Sequence, residues 1–344
     1  MNNFSEVSAL LEQLCSANGV SGAENSAADV ASQLLEKYAE VTVDPLGSVI
    51  GVKDGNGIHI MLDAHLDQIG LIVTAVDEDG FIKVSGAGGV DERVLSGAEV
   101  TVHGKEKLYG VIMSTPPHLL SSEEASKFRK IDEIAIDTAL CAEKVRESVS
   151  LGDRVTFNGK FNRMLGNRIS SPSVDDRAGV ASILRCLQIL EGKECPCKLT
   201  VSFSVQEETG GSGAQTAAFA SQADEAIAVD VSFASAPGLS TEKYASLGKG
   251  PMVGYAPLLD CEMSNALKAL AERKGIPYQL EVMGRRTGTN CDNIQTAGKG
   301  IKTALISVPL RNMHTAVEVC DLEDIENTAK LMAEYILERS GKNA

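Results

Sequence analysis

Strand and helix patterns alternate along this sequence, break off near residue 69 and resume near residue 163, and that break dictates the architecture. Residues 5–17 and 24–39 carry apolar side chains at helical spacing, Val30, Leu34, Leu35 and Tyr38 among them. The period then shortens. VTVD (42–45), SVIGVKD (48–54) and IHIMLDAH (58–65) are β-branched or apolar runs punctuated by Asp-Gly and Asn-Gly, the pattern of strands joined by turns. From 69 to 162, short strands such as GLIVTAV, FIKVSG, AEVTVHG and LYGVIM dominate, separated by turn residues, which predicts a small β-barrel or sandwich. Beyond it, helices at 176–191, near 212–221, at 261–274 and at 323–340 alternate with strands at 198–206, 225–231 and 302–307. Such alternation builds an α/β sheet layered by helices. The simplest organisation is one discontinuous α/β domain, residues 1–68 and 163–344, with residues 69–162 inserted as a β-rich domain.

The chain of 344 residues is 43% hydrophobic and 23% charged, the composition of a folded protein. Its 32 Lys and Arg against 47 Asp and Glu leave a formal charge of −15, which disfavours an electrostatic grip on nucleic acid or anionic lipid. The start, MNNFSEVSALLEQL, has no basic n-region and no uninterrupted apolar run, so a cytoplasmic location is expected. Eight cysteines are scattered without a C-x-x-C pair, and only Cys195 and Cys197 are close, so buried thiols are expected rather than disulfides.

Five segments set acidic or imidazole groups at predicted strand ends, where open α/β sheets bind ligands: AHLDQIG (64–70), SVDDRAG (173–179), VQEETGGSGA (205–214), AVDVS (228–232) and LRNMH (310–314). His65 and Asp67, two apart, suit a metal ligand and its orienting carboxylate, though a solvated turn histidine has the same spelling. Asp175 and Asp176 precede a helix, where an N-cap is the ordinary reading. Glu207 and Glu208 follow an apolar strand and point to different sides. One can hold a cation while the other acts as general base, or both can belong to an exposed acidic turn. Asp230 ends an apolar run, where a carboxylate is costly unless paired or coordinated. His314 follows another. Together they form the inventory of a two-metal hydrolase.

The order and wording of AHLDQIG, SVDDRAG, VQEETG, AVDV and VPLRNMH resemble the glutamyl and deblocking aminopeptidases, the co-catalytic di-metal peptidases that include the tetrahedral (TET) particles. The resemblance implies a three-layer mixed-sheet metallopeptidase domain with a small barrel-like domain, used in assembly, inserted between the first two ligands. It implies five metal ligands, with Asp175 bridging two divalent ions, His65 and Asp230 on one, Glu208 and His314 on the other. Glu207 would be the general base, Asp67 would orient His65, and the Asp175–Asp176 peptide would be cis. The ions would be zinc or cobalt, with manganese an alternative. The substrates would be peptides with a free N-terminus, and the assembly a homo-oligomer, a dodecamer built from dimers.

One departure stands out. Where the family often reads Gly-Thr-Asp-Ala, this chain has Gly288-Thr289-Asn290-Cys291 followed by Asp292, which leaves substrate preference open. Arg285 and Arg286 just before it could attract an acidic side chain, or form a solvated turn or subunit contact. Two rival readings carry over: a glycoside hydrolase using paired carboxylates, which leaves both histidines without a task, and a non-catalytic metal-binding homologue. His59, His103 and His118 fall outside the ligand segments and are expected to be structural or surface residues.

Overall fold

The computed structural model describes residues 4–121, 123, 127–239 and 244–341. Helices α1 (Ser5–Cys15) and α2 (Asn25–Leu35) lead into strands β1 (Glu40–Val43), β2 (Val49–Lys53) and β3 (His59–His65). The chain then leaves the sheet. Strands β4 (Gly70–Val76), β5 (Ile82–Ala87), β6 (Glu99–His103), β7 (Lys107–Ile112), β8 (Ile136–Asp137) and β9 (Arg154–Phe157) close a barrel in the order β4-β5-β8-β7-β6-β9. Helix α3 (Ala142–Ser148) packs Val145 into its core. A short hairpin, β10 (Asn162–Arg163) and β11 (Arg168–Ser171), returns the chain to the α/β part.

There follow α4 (Val174–Leu190), β12 (Lys198–Ser204), α5 (Ser212–Ser221), β13 (Glu225–Phe233), β14 (Met252–Tyr255), α6 (Cys261–Lys274), β15 (Gln279–Val282), α7 (Cys291–Ile294), β16 (Lys302–Leu310), β17 (Glu318–Asp321) and α8 (Leu322–Gly341). The main sheet has eight strands in the order β1-β2-β12-β3-β13-β16-β14-β15. Its four central strands, β12, β3, β13 and β16, run parallel, while β2 and β14 flank them antiparallel. The sheet is therefore mixed.

Alternation along the central strands explains the three layers. Ile60 and Leu62 face one core with Ile227, Val229, Ala304 and Ile306, which α1, α2, α4, α6 and α8 cover. Met61, Ala226, Ala228 and Leu305 face the other side, covered by α5 and α7. Successive residues point to opposite faces, so a strand buried on both reads as a continuous apolar run. The strands β10, β11, β14, β15 and β17 and the helices α3 and α7 have no counterpart in the sequence pattern.

All eight cysteines are free. Cys186, Cys197, Cys291 and Cys320 are buried as expected, whereas Cys141 and Cys261 are exposed. Among the described residues no helix is long and apolar enough to cross a membrane.

Candidate metal centre

The C-terminal ends of the four parallel strands converge on one cleft. His65 is the last residue of β3, Glu207 and Glu208 follow β12, Asp230 lies in β13, and His314 follows β16. Asp175 enters from the start of α4, just after a left-handed Ser173 at φ 62°. Gln206 and His314 take the same left-handed conformation, also at φ 62°. Non-glycine residues occupy that region where the surroundings over-determine it, and here each one turns the chain into or through the cluster.

Five side chains form two groups that share Asp175. His65, Asp175 and Asp230 each offer a ligand atom within 4.8 Å of the others, and so do Asp175, Glu208 and His314. Asp175 divides its carboxylate between them: Oδ1 lies 3.1 Å from His65 Nε2, and Oδ2 lies 3.3 Å from His314 Nε2. His314 Nε2 is also 3.3 Å from Glu208 Oε1, and His65 Nε2 is 3.9 Å from Asp230 Oδ1.

Both imidazoles are fixed from behind. His65 Nδ1 lies 3.0 Å from the Asp67 carbonyl oxygen, and His314 Nδ1 lies 2.8 Å from the Gly89 carbonyl oxygen. A ring that donates from Nδ1 to a carbonyl keeps its Nε2 lone pair for a cation. Gly89 belongs to the barrel segment, so the insertion itself orients one of the histidines. A Cβ at Gly89 would stand 2.9 Å from the His314 ring, which makes glycine the residue that permits this approach.

Asp67 does more than face His65. Its Oδ1 is 3.4 Å from His65 Nδ1, but it also accepts the backbone N–H of Glu207 at 2.9 Å, while Oδ2 accepts that of Glu208 at 3.1 Å and the Ser21 hydroxyl at 2.6 Å. It thereby fixes the turn carrying both glutamates. α4 is kinked in its first turn, with non-helical backbone at Asp175 and Asp176, and Asp176 caps the regular helix beyond the kink: Oδ1 accepts the Gly179 N–H at 2.9 Å, and Oδ2 accepts the His65 N–H at 3.2 Å. The peptide between Asp175 and Asp176 is cis. Glu318, not foreseen, accepts the Asp175 N–H at 3.1 Å and the His314 N–H at 2.9 Å. A glutamate within the apolar run Val317–Cys320 was the available signal.

The electrostatics call for positive charge. Burial pushes the carboxyls of Asp230 and Glu208 up, and moves Glu207 up to about 7 with help from Glu208, Asp67 and Asp175 against the pull of His65. Burial also opposes a charged ring at His314, yet hydrogen bonds to Asp175 and Glu208 outweigh it and raise that pKa to about 11. Burial likewise tends to raise Asp175, but the two histidines prevail and hold it at about 2. Oxygen and imidazole donors in two groups sharing one carboxylate fit a pair of divalent ions.

The residues that raised a question of specificity lie elsewhere. Asn290 is buried, donating from Nδ2 to Asp63 Oδ2 and to Ser204 Oγ, both at 2.8 Å. Burial pushes the Asp63 carboxyl up to about 6, and Asn290 is its closest donor. We expect Asn290→Ala to destabilise the fold by about 1–3 kcal/mol, because it removes the shorter of two hydrogen bonds to the buried Asp63 Oδ2 and leaves the Ser204 hydroxyl at 3.3 Å. An unchanged urea midpoint would remove that role. Arg285 and Arg286 are exposed. His59 and His103 pair with Thr200 and Thr156, each at 2.8 Å, and His118 lies in a short 3-10 turn.

Known proteins resemble this chain in sequence and in fold. The model of the M42 glutamyl aminopeptidase family matches residues 47–331. The lysyl aminopeptidase of Pyrococcus furiosus is 34% identical over 336 residues, covering 96% of each chain. A TET aminopeptidase from a marine-sediment archaeon of the Thaumarchaeota superposes with a TM-score of 0.92 at 30% identity, covering 99% of each chain. The TET1 peptidase of Pyrococcus horikoshii, which can assemble into a tetrahedron or a large octahedral shell, superposes at 0.86 with 30% identity, covering 96% of this chain and 99% of that one.

Proposed function

The chain belongs to the M42 glutamyl aminopeptidase family of peptidases, and from that membership we propose that it removes N-terminal residues from peptides with two divalent metal ions and Glu207 as general base. The ligands would be His65 and Asp230 on one side, Glu208 and His314 on the other, with Asp175 between. The observation that carries this reading is the division of the Asp175 carboxylate, one oxygen facing each histidine. When bound, such ions lower the pKa of a water towards neutrality and polarise the scissile carbonyl.

Glu207 lies in the cleft but in neither ligand group. Its task is to take a proton from the attacking water and return it to the leaving amine. Asp67 holds the backbone of Glu207, so the carboxylate that moves the proton is anchored to the same residue that backs His65. Zinc, cobalt and manganese all suit these donors. A glycosidase would need only the carboxylates and would leave two oriented imidazoles idle. We further propose that the inserted barrel serves assembly into a closed homo-oligomer that excludes folded proteins, in the cytoplasm. The shells formed by the Pyrococcus horikoshii TET1 peptidase support that reading.

The test is hydrolysis by metal-loaded protein of matched peptides with free and acetylated N-termini. Free-amine peptides should be cleaved at least about 100-fold faster, since the α-amine is part of what an exopeptidase recognises. Equal rates would overturn the exopeptidase reading, and cleavage of sugar polymers in the absence of metal would replace it.

A further inference from the structure

We propose that Glu281 makes this cleft selective for peptides whose N-terminal side chain is cationic, lysine or arginine. The inference rests on the aminopeptidase reading and names the substrate class of the same site. The cleft holds about 600 Å³ and extends from the ligand cluster along the sheet. Outside the cluster and Glu207, Glu281 is the one charged side chain among the described residues that line it.

The sheet places this carboxylate beside the chemistry. Glu281 on β15 is in register with Gly254 on β14. Paired residues of neighbouring strands face the same side, so Gly254 puts no side chain between Glu281 and the next strands. Glu281 consequently reaches two of them: Oε2 accepts the Ser307 hydroxyl of β16 at 2.9 Å, and Oε1 accepts the Ser232 hydroxyl of β13. Ser307 is the register partner of Asp230, and Ser232 lies two residues beyond Asp230 on the same face. The carboxylate is thus fixed against the strand positions that carry a proposed ligand.

Its valence is unspent. Each oxygen accepts one hydroxyl, whereas an ionised carboxylate offers about four lone-pair sites. No Lys or Arg among the described residues forms an ion pair with it, and Arg285 and Arg286 are absent from the lining. Around it, Phe233, Met283, Leu305 and Met313 present apolar surface. An aliphatic stem ending in a cation matches that combination: methylenes against the apolar wall, the ammonium or guanidinium on the carboxylate. An acidic side chain in that position would face the like charge of Glu281.

The deciding comparison uses metal-loaded protein and two peptides that differ only at the first residue, lysine against norleucine, which keeps the stem and lacks the amine. Wild-type kcat/KM should favour lysine by about 10- to 100-fold, the range expected for a charge-assisted hydrogen bond. Glu281→Gln should abolish the preference while leaving norleucine cleavage within about threefold of wild type. Glu281→Lys should shift preference towards N-terminal glutamate. Equal wild-type rates on the two peptides would overturn the proposal. So would a Glu281→Gln variant that loses both activities equally, since the carboxylate would then serve the α-amine or the fold. Norleucine cleavage reports the aminopeptidase reading independently, so its complete absence would identify a failure of that reading and take this proposal with it.

Discussion

Glu207→Gln is expected to lower kcat by about two to four orders of magnitude, the range that a positioned general base contributes, while metal content and KM stay near wild type. Glutamine preserves the shape and volume of the side chain, and the backbone N–H of residue 207 still donates to Asp67 at 2.9 Å. Because residue 207 belongs to neither ligand group, metal binding has no reason to change. What disappears is a basic oxygen able to take a proton. Glu207→Asp makes a useful companion: it keeps the base but retracts it by one methylene, so its activity should fall between the two. Steady-state kinetics with elemental analysis of the same samples checks both variants. If Glu207→Gln kept turnover within about tenfold of wild type, the base would have to be sought elsewhere.

The parts legible from sequence are those whose physics is local. β3, β12, β13 and β16 are buried on both faces and therefore read as apolar runs. An Asp or His in or just after such a run, as at His65, Asp230 and His314, is costly unless paired, which singles out those segments; the set of five ligands, with Asp175 and Glu208 in it, follows from the family resemblance. β14 and β15 escaped notice because each has four residues, one containing Gly254 and the other partly exposed along its whole length. In the site, the illegible contributions join distant segments. Asp67 fixes the backbone of residues 140 and 141 positions away, and Gly89 meets His314 across 225. Glu318 holds Asp175 across 143 positions, and Asn290 meets Asp63 across 227. No spacing encodes those meetings. They exist only once the parallel strands have brought their ends together.

Asp175→Asn should remove the capacity to hold two ions and lower kcat/KM by more than about 100-fold, the upper range seen when a mere supporting partner of a ligand is lost. The carboxylate of Asp175 presents one oxygen to each ligand group, 3.1 Å from His65 Nε2 and 3.3 Å from His314 Nε2. An asparagine can offer an oxygen to one group only, and must turn its NH₂ towards the other, where a donor faces a cation. The replacement is nearly isosteric, and the backbone N–H of residue 175 keeps its Glu318 acceptor, so the loss can be separated from collapse of the fold by an unfolding curve. Metal analysis after dialysis should find at most one ion per chain. Asp230→Asn and Glu208→Gln provide the contrast, since each belongs to a single group and each should cost one ion while sparing the other. The pattern across the three variants tests the bridge itself. Two ions retained at wild-type affinity in Asp175→Asn would mean that the two groups bind independently, and that the shared carboxylate serves only to orient the histidines.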